Sequence, residues 1–188
     1  KFPVSLQNMS KRWVLKSKSS SDQLRKLQTE LHIEENLALL LSQRGIDDFD
    51  SAKKFFRPSL DDLHDPFLMK DMQSAVERIE KAINQSENIM VYGDYDVDGT
   101  TAVSLVYLYL KQFYSNLTFY IPDRYKDGYG ISKDGIDFAA DNNIHLIISL
   151  DCGIKANEQV EYARQKNIDF IIADHHLPGE NLPRAVAV

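Results

Sequence analysis

Apolar and polar positions fall into two rhythms along this 188-residue chain. Through residues 21–87 the apolar side chains recur at three- and four-residue steps, the period of a helix with one buried face. In EENLALLLSQRG the leucines Leu37, Leu40 and Leu41 form such a stripe, and Gly45 stands where a helix commonly ends in a left-handed residue. Residues 71–86 repeat the pattern with Met72, Ala75, Val76, Ile79 and Ile83. Between these stretches, FFRPSLDDLHDPFLM carries two prolines that interrupt any long helix, and its His64 reads as a structural residue.

From residue 88 the rhythm changes. Four short runs rich in β-branched and aromatic residues predict strands: IMVY from 89, LTFYI from 117, LIISL from 146 and DFIIA from 169. The segments between them, TTAVSLVYLYLKQFY, ISKDGIDFAADN and KANEQVEYARQK, read as helices. Strands alternating with helices make βαβ units, so the expected fold is α/β, a parallel sheet with helices on both faces, preceded by a helical N-terminal region. The division expected is a basic segment over 1–20, a helical region over 21–87 and the α/β domain over 88–188. Sheets of this kind bind ligands beyond the carboxyl ends of their strands.

Composition narrows the class. An apolar fraction of 43% supports a real core. No stretch approaches the roughly 20 apolar residues of a membrane span, so no membrane partner is expected. A single cysteine, Cys152, rules out an internal disulfide and predicts a soluble protein of a reducing compartment, the cytoplasm, with the thiol as a small packing group. The net charge of −6 speaks against a nucleic-acid partner until its distribution is considered. Residues 1–26 hold Lys1, Lys11, Arg12, Lys16, Lys18, Arg25 and Lys26 against Asp22 alone. That basic start is either a solvated tail, with SKSSSDQ as a flexible linker, or a surface facing DNA. The chain opens without Met and closes on RAVAV, which resembles the start of another strand, so a piece of a longer protein is expected.

The chemistry begins where the first strand ends. In NIMVYGDYDVDGTTAVSL three acids alternate, Asp94, Asp96 and Asp98, and like charges so close repel unless a cation sits among them. An EF-hand loop is excluded, because Leu105 occupies the place of its bidentate Glu and a strand precedes the acids. GDYDVDG also lacks the spaced glycines of a dinucleotide site and the Gly-Lys-Ser/Thr of a P-loop. Position supplies the explanation: Asp123 follows the second predicted strand, Asp151 the third, and Asp174, His175 and His176 the fourth. Helix capping accounts for Asp123 or Asp151 singly, but not for the whole set. Carboxylates with one or two imidazoles suit Mn²⁺ or Mg²⁺, and several carboxylates can bridge two ions about 3.5–4 Å apart, as in many phosphatases and nucleases. No Ser or Cys nucleophile with a partner base is evident, so covalent catalysis is not indicated.

ADHH at 173–176, together with VYGDYDVDGTTA and SLDCG, resembles the DHH phosphoesterase family. KRWVLK, RGIDDFDSAKKFFRPSLDDLHDPFLM and IPDRYKDGYGIS look like segments of its branch that digests single-stranded DNA, so the likeness runs from about residue 11 to the end. The resemblance implies a 5′ to 3′ exonuclease that hydrolyses single-stranded DNA in recombination and repair with two Mn²⁺ or Mg²⁺ ions. Its further partners would be a helicase and a single-strand-binding protein. By the same resemblance Asp96, Asp98, Asp151 and His175 are metal ligands, with Asp151 bridging, and His176 faces the scissile phosphate. Asp98, Asp151 and His176 are then the catalytic group. Asp174 orients its neighbours, and Asp94 is a ligand or supports one. Some relatives carry a ligand histidine four residues before Asp96, where this chain has Tyr92, which implies a less complete shell at one metal. The loop IPDRYKDGYG would lie over the site, with Arg124 contacting phosphate and Tyr129 stacking on a base. A fourth motif and a second domain are expected beyond residue 188, so the isolated piece should bind metal weakly and show little processive activity. Two alternatives stay open: a small-substrate phosphodiesterase for cyclic dinucleotides or short oligonucleotides, and a binding module that has lost catalysis.

Overall fold

The computed structural model describes residues 14, 16 and 20–188, so most of the basic segment over 1–20 lies outside the described residues. The chain forms two compact units that divide between His64 and Asp65.

The first unit is helical. Helix α1 (Ser21–Leu31) starts inside SKSSSDQ, where the Ser20 side chain accepts a hydrogen bond from the Gln23 N–H. Helices α2 (Glu35–Ser42) and α3 (Phe49–Phe56) follow. The stripe expected on α2 is corrected by its packing. Ala38, Leu41 and Ser42 are its buried positions, Ala38 packing with Leu24 and Leu27 of α1 and Leu41 with Ala52 of α3. Leu37 and Leu40 instead stay about half exposed, lining an apolar cleft of about 440 Å³ with Phe55 and Phe56. Small Ala38 lets the neighbouring helix approach closely, so the buried face centres on it rather than on the longer leucines. Gly45 adopts φ 77°, the left-handed geometry predicted after this helix.

The second unit carries the sheet. Strands β1 (Asn88–Gly93), β2 (Leu117–Tyr120), β3 (Ile144–Leu150) and β4 (Asp169–Ala173) pair in parallel in the order β2-β1-β3-β4. Alternation splits each strand between two cores. Ile89, Val91, Leu146, Ile148 and Ile171 face α4 (Met72–Asn84) and α5 (Val97–Lys111). Met90, Tyr92, Ile147, Phe170 and Ile172 face α6 (Lys133–Asp141) and α7 (Asn157–Gln165). Ala75, Ile79 and Ile83 of the predicted α4 stripe pack on the first of these cores. Since α4 covers the sheet, the compact unit begins upstream of residue 88, where the strand rhythm starts.

Charges at the amino ends of the strands are matched. Arg78, only 8% exposed, lies 2.8 Å from a Glu87 oxygen and 2.7 Å from an Asp169 oxygen.

Candidate metal centre

Register places the acids. Gly93 of β1, Leu150 of β3 and Ala173 of β4 stand side by side. The next residues along each strand, Asp94, Asp151 and Asp174, therefore leave the sheet at one level along its carboxyl edge. Asp94 is fully buried there: one oxygen accepts a long hydrogen bond from the Gly130 N–H at 3.4 Å, and Oδ2 has no protein partner. A buried oxygen left without a donor is costly unless another group satisfies it.

The turn after β1 is pressed tightly onto α5. A Cβ on Gly99 would fall 2.5 Å from the Asp94 carbonyl oxygen and 2.6 Å from its nitrogen, so only glycine fits. Asp96 caps α5, its Oδ1 accepting from the Gly99 N–H at 2.9 Å. Asp98 lies in the first helical turn and lines a groove of about 580 Å³ together with Asp151, Asp174 and His175.

Asp151 is 9% exposed and adopts φ 59°. That left-handed geometry is tolerated by Asp and Asn but strained for most other residues. Its N–H donates to the Ala173 carbonyl at 2.9 Å, which ties β3 to β4 at the site. One Asp151 oxygen lies 3.0 Å from His175 Nε2. Asp174 Oδ2 accepts from the Ile154 N–H at 2.9 Å, while Oδ1 accepts from the His176 N–H at 3.0 Å and meets His176 Nδ1 at 2.7 Å. Burial works to raise the Asp174 pKa, but these donors outweigh it and hold the carboxyl below its ordinary range. The same contact pushes the His176 pKa up. Ligand atoms of Asp151, His175 and His176 lie within 4.8 Å of one another. Among the described residues, no Lys or Arg forms an ion pair with Asp94, Asp96, Asp98, Asp151 or Asp174.

The structure thus brings Asp98, Asp151, Asp174, His175 and His176 together, with Asp94 buried beneath and Asp96 turned to its capping bond. Asp123 stands apart from them. It lies two residues further from its strand than Asp94, Asp151 and Asp174 do from theirs, and accepts from the Tyr125 and Lys126 N–H groups at 2.8 and 3.0 Å, the Asx turn that a short acid makes for itself. Tyr92 is fully buried on the α6 side, where its hydroxyl donates to the Gly130 carbonyl at 2.9 Å and accepts from the Ser132 N–H at 3.1 Å. Burial pushes its pKa up to about 12, so it is a neutral anchor for the loop after β2. Cys152 is 2% exposed, and burial pushes its thiol far above the ordinary value, which suits packing rather than nucleophilic attack.

That loop brings two side chains back over the edge. Tyr129 stays 60% exposed, with its hydroxyl 3.4 Å from His176 Nε2. The Arg124 guanidinium lies 4.5 Å from the centre of the Tyr95 ring. Tyr95 is the member of this group that sequence reasoning passed over. An aromatic residue between two acids carries no motif signal, and its partner Arg124 is 29 positions away in sequence.

A parallel sheet whose strand ends gather aspartates and a histidine pair is the arrangement of a known class. The DHH family, N-terminal domain, matches residues 88–188, and the chain belongs to that family. It is 40% identical over 177 residues to the single-stranded-DNA-specific exonuclease RecJ of Bacillus subtilis, a match that takes in 94% of this chain and 22% of that protein. In structure it is similar to exonuclease RecJ bound to manganese, with a TM-score of 0.59 and 28% identity over 64% of this chain and 31% of that one. It is also similar to RecJ of Thermus thermophilus in complex with Mn²⁺, with a TM-score of 0.66 and 24% identity over 94% of this chain and 24% of the other. Among the described residues, no helix is long and apolar enough to cross a membrane.

Proposed function

We propose that this chain supplies the metal-binding edge of an exonuclease that hydrolyses phosphodiester bonds of single-stranded DNA from the 5′ end, using two divalent ions, Mn²⁺ or Mg²⁺. The observation that carries the reading is the group of acids at one sheet edge, with no Lys or Arg ion pair among the described residues, in a chain akin to RecJ exonucleases. The residues fit a divalent ion. Their donors are carboxylate and imidazole, and the orphaned Asp94 Oδ2 has the place a cation or its coordinated water would satisfy.

On this reading Asp96, Asp98, Asp151 and His175 hold the ions, with Asp94 as a ligand or directly behind one. When bound, the ions supply an activated water and neutralise charge on the phosphoryl oxygens. Asp174 fixes the His176 ring through Nδ1, which leaves Nε2 on the side of Tyr129. On this reading His176 would meet a phosphate oxygen through Nε2. Arg124 would contact the phosphate backbone, and Tyr129, exposed beside His176, would stack on a base. A helicase that opens duplex and a single-strand-binding protein that keeps it open are the partners such an enzyme would work with. Residues 88–188 form the catalytic domain on this proposal, its sheet covered by α4 from the helical region 21–87 that precedes it.

The test uses the complete protein on a long single-stranded oligonucleotide labelled at either end, with its duplex and a cyclic dinucleotide alongside, with and without Mn²⁺. Early release of the 5′ label as mononucleotide from the single strand alone, reduced at least about 100-fold by Asp98→Ala, is the expected result. Cleavage of the cyclic dinucleotide only would move the protein to small-substrate phosphodiesterases. Binding without cleavage would make it a binding module.

A further inference from the structure

Tyr95, in the turn after β1, meets two side chains of the loop after β2. Its ring carries the Arg124 guanidinium at 4.5 Å, and the Tyr129 ring packs edge-on to it at 6.1 Å and 84°. Tyr129 in turn packs edge-on to the His176 ring at 6.4 Å and 88°. The backbone of the 121–132 loop is pinned by Tyr92, Asp94 and Asp127, the last accepting from the Tyr120 hydroxyl at 3.0 Å and the Asp123 N–H at 2.8 Å. The Arg124 side chain has no such anchor. Among the described residues it makes no ion pair and no hydrogen bond, although several carboxylates stand at the same edge.

The manner of contact matters. A guanidinium engages an aromatic ring with its face and a carboxylate or phosphate with its edge. With its Cζ 4.5 Å from the Tyr95 ring centre and no hydrogen bond or ion pair among the described residues, Arg124 is held near the acids with N–H groups left to spend. A carboxylate partner would consume those groups and neutralise a metal ligand at once.

We infer that Tyr95 is a positioning residue that keeps the Arg124 edge available to a nucleic-acid phosphate and sets Tyr129 against His176. The inference rests on the proposed function for its substrate, and on geometry alone for the stacking.

Two arms test it in the complete protein. The first follows tryptic cleavage after Arg124 by mass spectrometry and needs no substrate. Tyr95→Leu should be cut there several-fold faster than wild type, and Tyr95→Phe, which keeps the ring, at the wild-type rate. The second arm measures KM and kcat on a single-stranded oligonucleotide. Tyr95→Leu should raise KM about fivefold, Tyr95→Phe should stay within about twofold, and adding Arg124→Ala to Tyr95→Leu should raise KM little further. Tyr95→Met serves as a second ring-free variant should Tyr95→Leu fold poorly, and must behave as Leu is expected to. Wild-type cutting after Arg124 in a folded ring-free variant overturns the inference. So do KM effects of Tyr95→Leu and Arg124→Ala that multiply, or a Phe variant as impaired as Leu. A wild-type protein that leaves the oligonucleotide uncut defeats the functional reading, and the tryptic arm then decides the stacking alone.

Discussion

The two ends of the sheet treat charge in opposite ways. At the amino ends, Arg78 sits between Glu87 and Asp169, so a nearly buried cation meets two acids. At the carboxyl ends, Asp94, Asp96, Asp98, Asp151 and Asp174 gather with two histidines, and among the described residues no Lys or Arg pairs with them. The first arrangement is complete within the protein. The second is electrostatically incomplete, and incompleteness of that kind stores the capacity to bind a cation.

Four measurements would break or sharpen this contrast. The largest effect should come from Arg78→Ala, which leaves two acids facing each other without their cation; chemical denaturation should report a loss of about 3 kcal/mol. A loss below about 1 kcal/mol would mean that the amino end is not held by this ion cluster. Next, Mn²⁺ should stabilise the wild-type protein by about 2.7 kcal/mol at a hundredfold excess over its Kd, and much less in His175→Ala. Equal shifts in both proteins would place the ion elsewhere. Third, without metal, Asp98→Ala should fold at least as well as wild type and gain up to about 1 kcal/mol from relief of like-charge repulsion. Clear destabilisation would show the carboxyl end to be balanced after all.

The smallest effect concerns pH on the helical face. Lys166 and then Tyr162 hold the Asp137 carboxyl below its ordinary pKa. A pKa depressed by folding adds stability above the unfolded value of 3.8 and loses it as pH falls through that value toward the lower folded one. Thermal melts at pH 7, 5 and 3 should therefore show Asp137→Asn slightly less stable at neutral pH and converging on wild type at pH 3. A constant gap across the series would remove the ionic origin of the contact.

Much of the fold was legible because both rhythms are local. Each of the four predicted strands appears, since runs such as LIISL and DFIIA are covered on both faces along their middle positions and are mostly apolar there. The gathering of Asp98, Asp151, Asp174 and His175 could be read from strand ends alone, because parallel strands in register deliver their succeeding residues to one edge. The features that escaped were set by packing partners distant in sequence. Leu37 and Leu40 have the right spacing for a core, yet Ala38 determines the helix approach. Asp123 ends a strand as the others do, but local N–H groups capture it before it reaches the edge. Tyr95 gains its meaning only when the loop folds back and lays Arg124 on it.

The left-handed backbone at Asp151 narrows what this position can become. Gly and Asn share Asp's tolerance for that geometry, but neither carries the negative charge, while Glu carries the charge without the tolerance. Two independent filters, one on shape and one on charge, leave a single amino acid that passes both. The same coincidence gives the experimenter a clean instrument. Asp151→Asn removes one charge at constant backbone and nearly constant volume, so ground-state electrostatics at the site can be varied by one unit without disturbing the chain that bears it.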